Sequence, residues 1–267
     1  MTPHSSCHSC RNAIYHTITM RLINTTTMQL EEFIANPPPY AILSHTWEDD
    51  EVTFQDFTHP DPTIASSKKG FAKIQNTCRQ AKRAGISYAW VDTCCIDKTS
   101  SAELTEAINS MFAWYAASDA CYAFLTDLDP MDTANPPEPL LKFAACRWFS
   151  RGRTLQELIA PKVVEFYNKD WTLYGTKVGL SKMLEAITGI DGQVLRASAV
   201  LADIPVARRT SWAANRRTTR VEDIADSLLG IFDVSMPMLY GEGQKAFIRL
   251  QEEIAKETND LTLSRGR

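Results

Sequence analysis

The chain has 267 residues, of which 44% are hydrophobic, so it can bury the core of one large domain or of two small domains. Its formal net charge of −4, from 28 basic and 32 acidic residues, gives no electrostatic basis for nucleic-acid binding, which needs a clustered excess of positive charge. Seven cysteines, an odd number, argue against a secreted disulfide framework and favour reduced thiols.

The N-terminal segment 1–19 has no clear hydrophobic period and is predicted to be flexible. It contains the sequence HSSCHSC, whose histidines and cysteines have spacings that suit zinc, but the motif is too short to be specific and we predict no metal site. The N-terminus also lacks the order of a signal peptide, and no stretch approaches the roughly 18 to 20 apolar residues of a membrane span. We therefore expect a cytoplasmic protein with a folded domain at 20–256 and a tail at 257–267.

Strands alternate with helices through the first two thirds of the chain. The buried-strand pattern occurs at 40–45, 86–93, 120–128 and 162–170, and amphipathic helices are predicted at 69–85 and 102–117. This alternation predicts an α/β fold, with a mostly parallel sheet flanked by helices around a flavodoxin-like core.

The C-terminal third is predicted to be a helical extension. Residues 171–215 have weak periodicity and are expected to be mostly helical and irregular. Strong helical order returns over 221–256, where Ile224, Leu228 and Ile231 share one face, and Phe247, Leu250 and Ile254 share another. We expect these helices to pack against the sheet.

Polar residues follow the predicted strands at the edge where parallel sheets bind ligands. Ser44, His45 and Trp47 lie at the end of the first strand, and Asp92 lies at the end of the second. Asp127 occupies the same position after the third strand, and the segment that carries Glu157 is placed to close over the same edge.

Four blocks of sequence together resemble the fungal heterokaryon incompatibility domain family. The blocks are YAILSHTW, YAWVDTCCIDK, RWFSRGRTLQELIAP and TTRVEDIADSLLGIFDVSMPMLYGEGQKAFIRLQEEI. The resemblance covers about residues 20 to 256 and implies an allorecognition protein that triggers programmed cell death. It also implies self-association or a separate sensor protein as partner.

A more distant similarity connects this family to Toll/interleukin-1 receptor (TIR) domains, whose NAD-cleaving members carry a glutamate four residues after a tryptophan. In this sequence that glutamate corresponds to Glu157, which the resemblance implies to be catalytic, with NAD or a related nucleotide as substrate and no cofactor. The tryptophan position is Arg153, so Trp148 or Trp47 would have to supply an aromatic face. Ser44, His45, Trp47, Asp92, Trp148 and Arg153 are the predicted ligand-binding residues.

Other interpretations of these residues remain open from the sequence. Glu157 suits an ion pair with Arg151 or Arg153, and Asp92 suits a cap on the following loop. Cys94 with His45 as base is an alternative nucleophile. The arginines at positions 208, 209, 216, 217 and 220 suit a local anion site, and the cluster from Arg216 to Arg220 suits either a pyrophosphate site or a solvated or ion-paired face. The whole domain also fits a non-enzymatic module that kills by assembly.

Overall fold

The computed structural model describes residues 19–130 and 139–257, and among these a single mixed sheet forms the centre of the fold. Its strands are β1 (Thr19–Asn24), β2 (Leu30–Ile34), β3 (Tyr40–His45), β4 (Tyr88–Trp90), β5 (Ala120–Phe124), β6 (Val164–Tyr167) and β7 (Leu173–Thr176). They lie in the order β2-β1-β4-β3-β5-β6-β7. The central strands β4, β3, β5 and β6 are parallel, whereas β1, β2 and β7 are antiparallel additions at the two edges.

This central order places β3 beside both of the strands that follow it, because β4 pairs with one side of β3 and β5 with the other. After β3 the chain adds β4 on one side of it and then crosses to add β5 and β6 on the other side, so the order of strand addition reverses next to β3. Such a reversal opens a crevice at the carboxyl ends of the strands, which is where doubly wound sheets bind ligands. The predicted α/β fold with a mostly parallel core is confirmed.

Short helices connect the strands and build the C-terminal third. They are α1 (Phe54–Phe57), α2 (Thr63–Ser66), α3 (Phe71–Arg83), α4 (Asp92–Cys95), α5 (Ser101–Ala117), α6 (Pro139–Ala144), α7 (Arg147–Ser150), α8 (Thr154–Ile159), α9 (Ser181–Thr188), α10 (Gly192–Leu195), α11 (Val206–Ser211), α12 (Glu222–Asp226), α13 (Leu229–Phe232) and α14 (Lys245–Glu257), with a 3₁₀ turn at Leu201–Asp203. No helix in these described ranges is long and apolar enough to cross a membrane.

The predicted strands and helices of the core are present, with shorter strands than expected. The first strand matches its predicted range 40–45, and every residue in it is buried. The second ends at Trp90 rather than at 93, because Asp92 already begins a helical turn. Helix α5 begins where the Ser100 side chain accepts a hydrogen bond from the Glu103 amide at 3.3 Å.

The C-terminal helices share one continuous apolar core with the sheet. Leu228, Leu250 and Ile254 are buried in the same cluster as the strand residues. Helix α13 packs on α5 so closely that a side chain at Gly230 would meet Phe112 at 2.0 Å. The prediction for 171–215 was incomplete, since this stretch contains the edge strand β7 besides its short helices. The predicted flexible N-terminus, its HSSCHSC motif and the tail from 258 onward lie outside the described residues.

Candidate functional site

A cleft of about 430 Å³ lies at the carboxyl edge of β3 and β4, within the size range of small-molecule sites. Loops after both strands form one part of its wall, helices α5 and α8 form another, and the C-terminal segment completes it. Its lining residues are His45, Trp47, Asp92, Ile96, Lys98, Leu104, Ile108, Met111, Tyr115, Arg151, Arg153, Thr154, Glu157, Thr219, Arg220, Asp223 and Tyr240. The structure therefore brings together most of the residues that the sequence selects.

Glu157 reaches the cleft from α8, a short helix whose six residues are all buried. The Thr154 hydroxyl fixes the start of this helix by hydrogen-bonding to the Trp148 carbonyl oxygen at 2.6 Å. At the other end, the buried Lys177 ammonium donates to the carbonyl oxygens of Leu158 and Pro161. Both ends of the helix are thus anchored, and the Glu157 side chain is held in place.

A buried hydrogen-bond relay holds the Glu157 carboxyl group. Ser44 Oγ donates to Glu157 Oε2 at 2.5 Å, and Trp148 Nε1 donates to Ser44 Oγ at 2.8 Å. Trp148 is fully buried and packs edge-on against Phe166, so its ring faces are covered by the core. The structure therefore places Ser44 and Trp148 behind Glu157, where they orient it, rather than on the cleft wall.

The environment of Glu157 favours its neutral form. Burial raises the pKa of this carboxyl group from 4.5 to about 8, and the negative charge of Asp92 adds to the rise. The Ser44 hydrogen bond and the charges of Arg153 and Arg216 act in the opposite direction without offsetting burial. Near pH 7 most Glu157 side chains are therefore protonated.

Asp92 in the same cleft has the opposite character. Burial alone would raise its pKa, but the nearby Lys98 ammonium and hydrogen bonds from His45 and Trp47 hold it well below the usual range. His45 Nε2 lies 3.1 Å from Asp92 Oδ1, and Trp47 Nε1 donates to Asp92 Oδ2 at 2.9 Å. Asp92 is thus an ionised carboxylate bound by side chains, rather than a cap on the loop that follows it.

The His45 ring is fixed by Lys73 from the other side. Lys73 Nζ lies 3.4 Å from His45 Nδ1 and 3.2 Å from the Thr46 carbonyl oxygen. It also forms an ion pair with the Glu51 carboxylate. Lys73 and Asp92 thus contact opposite ring nitrogens of His45 and fix the orientation of its ring.

Neither Arg151 nor Arg153, the arginines that the sequence offered as ion-pair partners of Glu157, forms an ion pair with it. Arg153 Nη2 lies 3.5 Å from Asp223 Oδ1. Arg216 is buried and donates to the Arg151 carbonyl oxygen and to Thr154 Oγ1, both at 2.8 Å. Among the described residues, no arginine or lysine nitrogen lies within 4.0 Å of the Glu157 carboxylate. The geometry therefore does not contain the ion pair that would make Glu157 purely structural.

Two other sequence candidates lie away from the cleft. Cys94 is completely buried, and burial raises the pKa of its thiol well above the ordinary value, which disfavours a nucleophilic thiolate. Asp127 accepts a hydrogen bond from the Arg147 amide at 2.8 Å and thus holds the start of α7. In the part of the chain that the structure describes, no group of three or more metal-ligating side chains is arranged to hold an ion.

Sequence reasoning did not place the C-terminal segment in the cleft, although it offered Arg220 as part of a possible pyrophosphate site. Arg220, Asp223 and Tyr240 line the cleft, and all three are more than sixty positions from Glu157 in the sequence. The Glu222 carboxylate accepts hydrogen bonds from the amides of Gly241 and Gly243 at 2.9 and 3.0 Å and thereby fixes the turn next to Tyr240. The sequence MPMLYGEG was the available signal for this turn, because two closely spaced glycines favour a tight turn. In the structure both glycines adopt positive φ angles.

Comparison with known proteins identifies the domain. Residues 40–139 match the model of the family described as "Heterokaryon incompatibility protein (HET)". The chain is 48% identical over 229 residues to "Vegetative incompatibility protein HET-E-1" of Podospora anserina. That match covers 84% of this chain but 17% of the relative, so the chain spans a small part of that protein's length. No solved structure matches the chain.

Proposed function

We propose a function for this chain, which belongs to the heterokaryon incompatibility family. It acts as a cell-death effector in fungal allorecognition, and it does so as a hydrolase of the N-glycosidic bond of NAD or a related nucleotide. The role in allorecognition is supported by the similarity of the chain to a protein named for vegetative incompatibility. The hydrolase activity is supported by the chemistry of the cleft.

The observation that carries the enzymatic proposal is the pair of carboxyl groups in one cleft with separated pKa values. Asp92 is held ionised, whereas the pKa of Glu157 is raised to about 8. Environments that push two titratable groups apart in this way are typical of sites that perform acid–base chemistry. A cleft-lining carboxyl group without an ion-pair partner is also free to contact a ligand.

These two groups suit hydrolysis through a positively charged transition state. When the bond between nicotinamide and ribose breaks, both bonding electrons leave with the neutral nicotinamide, and positive charge develops on the ribose. The Asp92 charge stabilises that ribose cation. Water then attacks the anomeric carbon, and ionised Glu157 accepts the proton that the water loses. The leaving group needs no proton, so Glu157 works in its carboxylate form.

Trp47 supplies the aromatic surface that Arg153 cannot. Its side chain is 45% exposed at the rim of the cleft, and one of its faces carries the Lys98 ammonium 3.7 Å from the ring centroid. In this proposal the exposed Trp47 ring stacks on a planar base or on nicotinamide. In this proposal Arg153 orients Asp223 and the cleft wall, and the stacking position moves to Trp47.

The experiment is a direct assay of NAD cleavage. The purified chain at high concentration is incubated with NAD, and nicotinamide release is followed by chromatography. Glu157→Gln keeps the shape of the neutral side chain and is expected to abolish release, whereas Glu252→Gln, an exposed change on α14, is expected to leave it intact.

Two results would remove the enzymatic part. One is that NAD stays intact both at high protein concentration and with crosslinked oligomers, two conditions that ensure assembly across chains. The other is equal nicotinamide release by wild type and Glu157→Gln. Either would favour the alternative that the domain kills by assembling with partner chains.

A further inference from the structure

The cleft contains more positive than negative side chains. Four cationic residues line it: Lys98, Arg151, Arg153 and Arg220. Three carboxyl groups face them, from Asp92, Glu157 and Asp223. Because Glu157 is mostly neutral near pH 7, the lining carries an uncompensated positive charge of about two.

Two of the four cations are already compensated by carboxylates in the cleft. Arg153 Nη2 lies 3.5 Å from Asp223, and Lys98 Nζ lies 3.9 Å from Asp92. Within the described ranges, neither Arg151 nor Arg220 has a carboxylate oxygen within 4.0 Å of its guanidinium. The excess positive charge of the cleft therefore resides on these two arginines.

Main-chain pairing joins the segment of Arg151 to Arg217, three residues before Arg220. The Gly152 amide donates to the Arg217 carbonyl oxygen at 2.9 Å, and the Arg217 amide donates to the Ser150 carbonyl oxygen at 2.6 Å. This pairing brings the segment of Arg220 against the segment of Arg151. The absence of a side chain at Gly152 permits this close approach, since a Cβ there would meet Thr218 Cγ2 at 2.4 Å.

Arg220 is further oriented by an aromatic ring. Its guanidinium carbon lies 4.3 Å from the centroid of Tyr240, a residue 42% exposed at the cleft. The turn that carries Tyr240 is itself fixed by Glu222, as described above. The guanidinium of Arg220 is thus held at a defined place in the cleft, and no carboxylate oxygen of the described residues lies within 4.0 Å of it.

We propose that Arg151 and Arg220 form a diphosphate subsite, so that the cleft recognises nucleoside diphosphates and dinucleotides by their pyrophosphate. The guanidinium fork matches the oxygens of a phosphate group and forms charge-assisted hydrogen bonds with it. A pyrophosphate diester carries two negative charges, which equals the uncompensated charge of the lining. The choice of a dinucleotide as substrate rests on the proposed function, whereas diphosphate binding does not require any bond to be cleaved.

The test measures binding in a protein that cannot turn over. Calorimetric titrations use the Glu157→Gln chain with ADP, inorganic pyrophosphate and adenosine as separate probes. The double variant Arg151→Gln/Arg220→Gln is expected to weaken ADP and pyrophosphate binding at least about tenfold, since each lost contact is charge-assisted. Adenosine, which has no phosphate, should bind both proteins equally weakly.

The matched control is Arg79→Gln/Arg83→Gln, which makes the same change in net charge at exposed positions on α3. It should leave ADP binding unchanged, and melting temperatures confirm that all variants are folded. Equal ADP affinity in the Arg151/Arg220 double variant would overturn the proposal, as would the absence of ADP and pyrophosphate binding to the parent protein at millimolar concentration.

The outcomes separate this proposal from the enzymatic one. Loss of ADP binding in the double variant, together with intact NAD in the cleavage assay, supports the diphosphate subsite and removes hydrolysis. NAD cleavage together with unchanged ADP binding does the reverse. Pyrophosphate binding as tight as that of ADP would show that the subsite recognises the diphosphate without help from the nucleoside.

Discussion

Replacing Glu157 with glutamine should make the stability of the protein less dependent on pH. The pKa of this carboxyl group rises from 4.5 in its ordinary environment to about 8 in the folded chain. Between these values the folded state binds a proton that the unfolded state has lost. The stabilisation is therefore complete below the unfolded pKa and is lost as pH rises through the folded pKa.

The size of this effect follows from the shift. One unit of pKa difference is worth about 1.4 kcal/mol, so wild type should lose on the order of 4 kcal/mol between about pH 5 and about pH 9 through this group alone. Glutamine does not titrate and has the shape of the neutral acid. The variant should match wild type near about pH 5 and exceed its stability by a few kcal/mol near about pH 9.

Urea denaturation at a series of pH values measures this difference directly, with Glu252→Gln on the exposed face of α14 as the control for a generic glutamate. A difference between wild type and Glu157→Gln that stays constant with pH would refute the raised pKa. A glutamine variant that is less stable by roughly 3 to 5 kcal/mol at every pH would instead indicate a buried ion pair with an arginine.

Three further predictions concern the surroundings of Glu157. If Glu157 accepts a proton from water, kcat/KM for NAD should rise with pH along a titration curve whose midpoint lies near pH 8. Ser44→Ala should move that midpoint to higher pH, because the Ser44 hydrogen bond lowers the Glu157 pKa. Lys177→Met should destabilise the chain by about 2 to 3 kcal/mol in urea denaturation, since it leaves buried carbonyl oxygens at the end of α8 without their donor; an unchanged midpoint would contradict this. Gly152→Ala should lower the melting temperature through its clash with Thr218 Cγ2, and adding Thr218→Ser, which removes that methyl group, should restore much of the loss.

The core of the fold was predictable because its signals are local. The strand at 40–45 begins with four apolar residues after three prolines and is fully buried. Gly85, which has a positive φ, follows the end of α3 as its position in the sequence suggested. The edge strands carried no such signal. In β2 every residue is intermediate or exposed, and β7 is similar, so neither has the apolar pattern that marks a buried strand.

The site was predictable only as far as topology reaches. Ser44 and His45 end β3 and Asp92 lies just after β4, so their convergence at one edge follows from the parallel sheet. The relay from Trp148 through Ser44 to Glu157 joins positions more than a hundred residues apart. Likewise Arg220 and Tyr240 enter the cleft through pairing of the segments around Arg151 and Arg217, which no local pattern encodes.

The most direct test of the central claim, that this chain kills by Glu157-dependent cleavage of a nucleotide, is to measure NAD and viability together in fungal cells that express it. We expect NAD to fall before viability does with wild type and with Glu252→Gln, and both to stay at control values with Glu157→Gln at equal expression. Cell death that proceeds with normal NAD, or that proceeds unchanged in the Glu157→Gln cells, would contradict the claim.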